Sequence, residues 1–200
     1  MSRIIAGSAY GKQLRTPTGD RTRPTTERVR EALFSALATW AGGAGQAPDQ
    51  QLAGIRLADL YAGSGAIGLE AASRGASEVV LVESHRSAIE LIRRNVATTR
   101  LGEPVRVVPA TVATYLAGEP QVFDVVWLDP PYSTPAQEVD QVLARLAEAW
   151  LAPDGLVVLE RSRRDPEPNW PDSLAVHWAR RYGDTQLYFG RPPLADPEQE

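Results

Sequence analysis

Residues 55–68 read Ile55-Arg56-Leu57-Ala58-Asp59-Leu60-Tyr61-Ala62-Gly63-Ser64-Gly65-Ala66-Ile67-Gly68. The first six form a short strand. A Gly-rich turn then opens into GSGAIGLEAASRG, from Gly63, a run of small residues that reads as a helix. Residues 78–83 (EVVLVE) follow as an apolar run between two acids, the pattern of a strand buried on both faces. Strand, turn, helix and buried strand in that order make a βαβ unit, and such units build a parallel sheet covered on both sides.

The same rhythm continues downstream. Residues 87–100 are helical, with Ile89, Ile92 and Val96 on one face. Residues 105–108 read as a strand, 112–117 as a short helix and 122–128 (VFDVVWL) as another buried strand. Residues 138–150 form a helix with Val139, Val142, Leu143 and Leu146 as its core stripe, and 156–159 the next strand. After Arg163 the rhythm breaks. Residues 174–180 and 185–189 alternate around Tyr182-Gly183-Asp184, which predicts an antiparallel terminal hairpin. On the other side of the central motif, residues 3–16 with Gly7 and Gly11 predict two short strands or a hairpin. Thr25-Thr26-Glu27 is a helix start, and Val29, Leu33, Leu37 and Trp40 give that helix an apolar face ending before Gly42-Gly43. The predicted division is a hairpin–helix extension over 1–40, a linker over 41–51 (AGGAGQAPDQQ), a main domain over 52–191 and a frayed tail over 192–200. Trp40 and Trp150 end helical stripes and read as core, whereas His177 and Trp178 read as packing or surface residues of the terminal hairpin.

Composition narrows the chemistry. With 200 residues, 43% hydrophobic and 23% charged, the chain is too apolar for disorder and long enough for a core without covalent help. It has no cysteine, which excludes disulfides, thiolate metal sites and a thiol nucleophile. Its two histidines, His85 and His177, are too few for a His-rich zinc site, and no metal is expected. No apolar run approaches the ~18 residues of a membrane span, and the N-terminus lacks a signal-peptide core. The expected location is the cytoplasm, with no membrane partner. Net charge is −4, yet residues 1–31 hold seven bases against three acids, a charge of +4 that leaves −8 on the rest. A basic arm on an acidic body can contact phosphate, because the attraction acts over about a Debye length of ~8 Å. A solvated, charged N-terminus fits the same numbers.

In an open α/β sheet, ligands bind at the carboxyl ends of the strands, where strand order reverses. Asp59 stands at such an end. Gly63 and Gly65 let the backbone turn tightly and approach a ligand, and Glu83 closes the next strand, where a carboxylate can accept from both hydroxyls of a ribose. Gly63-x-Gly65-x-x-Gly68 also fits the dinucleotide fingerprint. Asp59 favours the other choice, because a carboxylate four residues before the first glycine repels a pyrophosphate and suits a ligand bearing an ammonium and a sulfonium. A second motif, Asp129-Pro130-Pro131-Tyr132, follows the strand at 122–128. Its prolines fix φ and remove two backbone donors. What remains is a rim of acceptors, the Asp129 carboxylate and the Pro130 carbonyl, with the flat face of Tyr132 beside them. Such a rim suits an exocyclic NH2 on a planar ring. A Pro-rich turn with a packed tyrosine is the plainer reading.

Taken together, these residues resemble a class I S-adenosylmethionine-dependent methyltransferase acting on an amino group, and more closely the RsmD-type bacterial small-subunit rRNA guanine-N2 methyltransferase family. The resemblance runs over nearly the whole chain: Arg3-Ile4-Ile5-Ala6-Gly7 and Gly11, then Arg23-Pro24-Thr25-Thr26-Glu27-Arg28-Val29-Arg30-Glu31-Ala32-Leu33-Phe34, then 59–76, Val82-Glu83, Asn95 and 129–132. The RPT-x-x-RVRE-x-LF stretch is its most specific piece. The resemblance implies a Rossmann-like, seven-stranded, mostly parallel sheet with a terminal antiparallel strand. It implies methylation of a guanine in the head of the small subunit. It also implies a 16S rRNA partner, as free rRNA, small ribosomal subunit or assembly intermediate, and a monomeric enzyme. Ala6 stands where the family more often has Gly, a change expected to cost little.

On this reading Asp129, Pro130 and Tyr132 are catalytic. Asp59, Tyr61, Ala62, Gly63, Ser64, Gly65, Glu83, Ser84, Thr111 and Val112 hold S-adenosylmethionine. Thr111 or a backbone amide replaces the Asn or Asp that the family tolerates after the third strand as the reader of the adenine amino group. Lys12, Arg15, Arg23, Thr25, Arg28 and Arg30 face RNA, although the helix arginines could instead pair with Glu27 and Glu31. His85 is expected to be an exposed loop histidine. Three rivals remain at this stage: an amino-methyltransferase on adenine N6 or a protein glutamine, a nicotinamide oxidoreductase, and a non-catalytic ribosome-assembly factor.

Overall fold

The computed structural model describes residues 2–16 and 26–193. Arg23, Thr25 and all but the first two residues of the expected tail lie outside them. The chain forms two compact units, Met1–Tyr115 and Leu116–Glu200. Seven strands make the main sheet. In the first unit β3 (Arg56–Asp59), β4 (Glu78–Glu83) and β5 (Val105–Pro109) run parallel in the order β5-β4-β3. In the second, the order is β6-β7-β9-β8. There β6 (Phe123–Leu128) is parallel to β7 (Leu151–Ser162), and β9 (Thr185–Arg191) is antiparallel to both β7 and β8 (Val176–Tyr182). The expected alternation is therefore observed, and the terminal hairpin inserts its second strand between β7 and its first.

Helices α2 (Ala66–Ser73) and α3 (Arg86–Thr99) follow β3 and β4, α4 (Val112–Leu116) follows β5, and α5 (Ala136–Ala149) connects β6 to β7. Val79–Val82 of β4 and Val125–Leu128 of β6 are almost wholly buried, as their apolar runs require. Burying each such side chain contributes about 1.5–3 kcal/mol. Strand β7 is much longer than the expected 156–159. Leu151 already pairs with Phe123, so the ladder begins before Pro153 and Gly155, which look like turn residues in isolation. Among the described residues no helix is long and apolar enough to cross a membrane.

The N-terminal hairpin, β1 (Ser2–Arg3) with β2 (Gln13–Leu14), and helix α1 (Glu27–Trp40) are packed into the first unit. Ile4, Ala9 and Leu14 are buried against Leu69 of α2, flanked by Ala66, Val96, Leu101 and Val105. Thr26 caps α1, its hydroxyl accepting from the Val29 N–H at 3.3 Å. The stretch 41–51, expected as a linker, is bonded to its neighbours. The Gly43 N–H donates to Ala38 O, and the Gln51 side chain accepts from the Arg74 guanidinium at 2.6 Å. Trp150 is buried as expected, whereas Trp40 is only half-buried. His177 stacks on Trp170 and Trp178 on Phe189, a surface packing role.

Candidate active site

The Gly-rich turn follows β3 directly. Gly63 and Gly65 have φ of 54° and 77°, the left-handed region that a side chain makes costly. An atom added as Cβ at Gly63 would meet nothing nearer than Tyr61 O at 3.9 Å, so the space over the turn is open. At Gly68 the same atom would lie 2.2 Å from Leu81 Cδ2, so this third glycine serves helix–strand packing. The Ala62 N–H donates to Val82 O, and the Gly65 N–H to Ala62 O, which closes the turn against β4.

Glu83 holds the turn from the next strand. Its Oε2 accepts from the Gly63 N–H at 2.8 Å, and its Oε1 accepts from the N–H groups of Ser84 and His85, both at 2.8 Å. A carboxylate has about four lone-pair directions, so one remains, on Oε2. The expectation that Glu83 takes both hydroxyls of a ribose is narrowed to one without rearrangement. His85 is exposed, as expected, and works through its main chain. Replacing Glu83 by Ala is expected to weaken S-adenosylhomocysteine binding by about tenfold or more, since charge-assisted bonds are worth ~1.5–3 kcal/mol each. An unaltered calorimetric titration would discredit the assignment.

Asp59 is wholly buried, and its Oδ1 has no hydrogen-bond partner among the described residues. Burial pushes its carboxyl up to about 7, against the N–H bonds from Gly68 and Tyr61 and with the nearby Glu83 charge adding to the rise. A buried, half-satisfied carboxyl beside an open turn fits a cationic group. An ammonium favours the ionised form, so cofactor affinity is expected to climb with pH by up to tenfold per unit until about 7 and then level off. Asp59→Asn should bind more weakly and lose this slope. A flat wild-type profile between about pH 6 and 8 contradicts the role. In the cofactor-free protein the sign for folding is opposite to that of binding. The native carboxyl keeps its proton between its ordinary value of 3.8 and about 7, so its contribution to stability is full below 3.8 and is lost as pH rises through about 7.

Thr111 is partly engaged elsewhere. Its hydroxyl donates to Thr114 Oγ1 at 2.8 Å and accepts from the Thr114 N–H at 3.1 Å, which makes it the cap of α4. One acceptor lone pair of this hydroxyl remains for an adenine amino group, so Thr111 and the main chain near the buried Val112 both stay candidates. In the second unit, Asp129 is half-buried at the end of β6, Pro130 is buried and Tyr132 is 60% exposed. The Pro131 carbonyl accepts from the Thr134 N–H at 2.8 Å and closes the turn.

The candidate RNA contacts divide. Lys12, Arg15 and Arg28 are exposed. Arg30 is not: its side chain is 1% exposed, so the expectation that it meets phosphate is corrected. It donates to Ser2 Oγ and the Arg3 carbonyl and lies 3.9 Å from Glu70. Burial lowers its pKa, with Glu70 opposing. Glu70, itself wholly buried, accepts from the N–H groups of Ile5 and Ala6 and from Arg74 Nε. Ser73 adds bonds to Ala9 N and Ala6 O. Ala6 thus acts through its main chain. Gly7 must be glycine, since a Cβ would lie 1.8 Å from Ser73 O. Sequence reasoning missed Glu70 and Ser73. The signal was a charged residue inside the otherwise small, apolar α2. Arg30 likewise shares the stripe of Leu33, Phe34 and Leu37, which Arg28 does not.

A mostly parallel seven-stranded sheet with an antiparallel end, and a carboxylate–glycine turn after β3, define a class I methyltransferase. A solved structure described as a putative methyltransferase yhhF from Escherichia coli superimposes with a TM-score of 0.78 and 29% identity, covering 95% of this chain and 97% of that one. The family described as Conserved hypothetical protein 95 matches residues 2–191. The ribosomal RNA small subunit methyltransferase D of Escherichia coli (strain K12) is 33% identical over 175 residues, 88% of this chain and 82% of that protein. A putative rRNA methyltransferase, YlbH, of Bacillus subtilis (strain 168) is 32% identical over 92% of this chain and 95% of its own length. The chain belongs to this RsmD-type methyltransferase family. The oxidoreductase reading falls with that result.

Proposed function

We propose that the protein transfers the methyl group of S-adenosylmethionine to the exocyclic N2 of a guanine in small-subunit (16S) rRNA. The observation that carries this reading is the Asp129-Pro130-Pro131-Tyr132 turn at the end of buried β6, with Tyr132 exposed beside a proline-fixed rim. The names of the relatives support an rRNA substrate. The orphaned Asp59 oxygen, the open Gly63 turn and the remaining lone pair of Glu83 support the cofactor.

When bound, S-adenosylmethionine supplies an electrophilic methyl on a sulfonium. Asp59 faces the cationic end of the cofactor, and Glu83 one ribose hydroxyl. The Asp129 carboxylate and the Pro130 carbonyl accept the two N–H bonds of the guanine amino group. That group is a poor nucleophile because its lone pair is delocalised into the ring. Two acceptors favour a pyramidal nitrogen and aim the pair, and alignment of this kind can supply ~7–11 kcal/mol of a barrier. Tyr132 stacks on a base drawn out of its neighbours, most readily from a loop.

Lys12, Arg15 and Arg28 contact phosphate. Arg28→Ala is expected to weaken binding of rRNA fragments across sequences and to reduce the salt slope by about one. Unchanged affinity and slope would remove Arg28 from the interface. The reading as a whole is tested by labelled-methyl transfer to rRNA and by mass mapping of small-subunit rRNA from cells with and without the gene. One guanine should lose a methyl group in the deletion. An unchanged map refutes the guanine assignment, and a methylated adenine or protein glutamine would replace it.

A further inference from the structure

Asn95 lies on the buried face of α3 with Ile89, Ile92 and Thr99, and its side-chain amide makes three hydrogen bonds. Nδ2 donates to the main-chain carbonyls of Arg15 and Ser64, both at 2.9 Å. Oδ1 accepts from the Arg15 N–H, also at 2.9 Å. The residue has no solvent exposure. An amide is planar, and its two N–H bonds and its oxygen point in directions set by one plane. A shift of the Ser64 carbonyl therefore turns the group that holds both main-chain polar atoms of Arg15.

The two ends of this clasp belong to different parts of the proposed chemistry. Ser64 is the middle of the Gly63-Ser64-Gly65 turn, whose Gly63 N–H is held by Glu83. Arg15 follows β2, and the sequence carries Arg21 and Arg23 before α1 begins. Eighty residues separate Asn95 from Arg15 and thirty-one separate it from Ser64, yet one side chain joins them. The hairpin is otherwise anchored through Glu70 and Ser73 of α2, so Asn95 is not needed simply to hold it down.

We infer that Asn95 is a positioning residue that couples RNA contact by the N-terminal segment to cofactor contact by the Gly-rich turn. RNA held at Arg15 fixes the amide plane and with it the Ser64 carbonyl. Cofactor that settles the turn fixes the same plane from the other side. Each ligand then tightens the other, and the factor is equal in both directions because the coupling is thermodynamic. The inference rests on the assignment of the turn to the cofactor and of the hairpin to RNA.

The test is a coupling cycle on the full chain. S-adenosylhomocysteine is titrated without and with a saturating transcript of the small-subunit rRNA head, in wild type, Asn95→Ala and Asn95→Asp. The aspartate variant would keep an acceptor for the Arg15 N–H but turn an oxygen toward two carbonyls. In wild type, RNA should tighten S-adenosylhomocysteine by about fivefold or more. In both variants that factor should fall toward one, with each ligand still binding alone. A residue that only supports the fold would lower the melting temperature and leave the factor intact.

Hydrogen exchange on the wild-type protein gives a second measurement that needs no variant. Adding S-adenosylhomocysteine should slow exchange of the Arg15 amide, and adding RNA should slow exchange at the Gly63–Gly65 turn. Binding of both ligands with no coupling in wild type overturns the inference, as does coupling of unchanged size in a folded variant. If the variants do not fold, exchange decides: an Arg15 amide indifferent to S-adenosylhomocysteine overturns it. Failure of wild type to bind S-adenosylhomocysteine at all defeats the assignment of the turn itself, which is a separate and distinguishable result.

Discussion

Asp129→Ala is expected to bind S-adenosylhomocysteine as wild type does and to lose methyl transfer by about a hundredfold or more. Asp129 follows β6 directly and precedes two residues whose φ is locked, so its main chain is held in place. Removing the carboxylate leaves the Pro130 carbonyl as the sole acceptor of the pair. The amino group is then free to lie flat against the ring, with its lone pair delocalised. The loss should appear in single-turnover rates, with the cofactor titration unchanged. Asp129→Asn keeps one acceptor oxygen and should retain part of the rate. An Ala variant with most of its activity would show that the amino group is not held by this side chain, and the proposed role of the whole turn would go with it.

Glu70→Ala is expected to be the most damaging substitution for the fold. It strips an acceptor from the N–H groups of Ile5 and Ala6 and from Arg74, and leaves the buried Arg30 guanidinium without its counter-charge. Breaking a buried pair in this way costs about 3–5 kcal/mol, because the remaining charge stays desolvated. For a chain of this size that corresponds to a melting temperature lower by roughly 10 °C. Hydrogen exchange should localise the damage to Ile5, Ala6, Ser8 and Ala9, the amides bonded to α2. RNA affinity should fall too, since Lys12 and Arg15 lose the frame that carries them. A variant within about 1 kcal/mol of wild type, against the range expected for such a break, would show that the hydrophobic contacts of Ile4 and Leu14, with the bonds of Ser73 and Asn95, hold the hairpin without Glu70.

The two arginines of the RVRE stretch show how much was legible and where legibility ended. Both Arg28 and Arg30 are bases at a helix start, and by charge they are equivalent. Helical spacing separates them, because Arg30 falls on the stripe of Leu33 and Phe34 and Arg28 does not. The stripe indicates burial but names no partner. Thr111 is a similar case: its position after β5 suggested a ligand contact, and only the folded chain shows that the same hydroxyl also caps α4 through the Thr114 N–H. The start of β7 was hidden because Pro153 and Gly155 look like turn residues until Leu151 is seen paired with Phe123.

Features repeating over a few residues were available from the amino-acid order alone: the parallel sheet, the antiparallel end, the turn after Asp59, the proline-fixed turn after β6 and the basic N-terminal segment. They depend on steric and hydrophobic preferences that act between neighbours in the chain. The partners of Glu70 at Ile5 and Ala6, and of Asn95 at Arg15 and Ser64, required the folded molecule. A buried carboxylate or amide must find hydrogen bonds wherever packing brings a main-chain group within reach. That meeting is decided by how helices and strands stack across the core, over separations that no local pattern records.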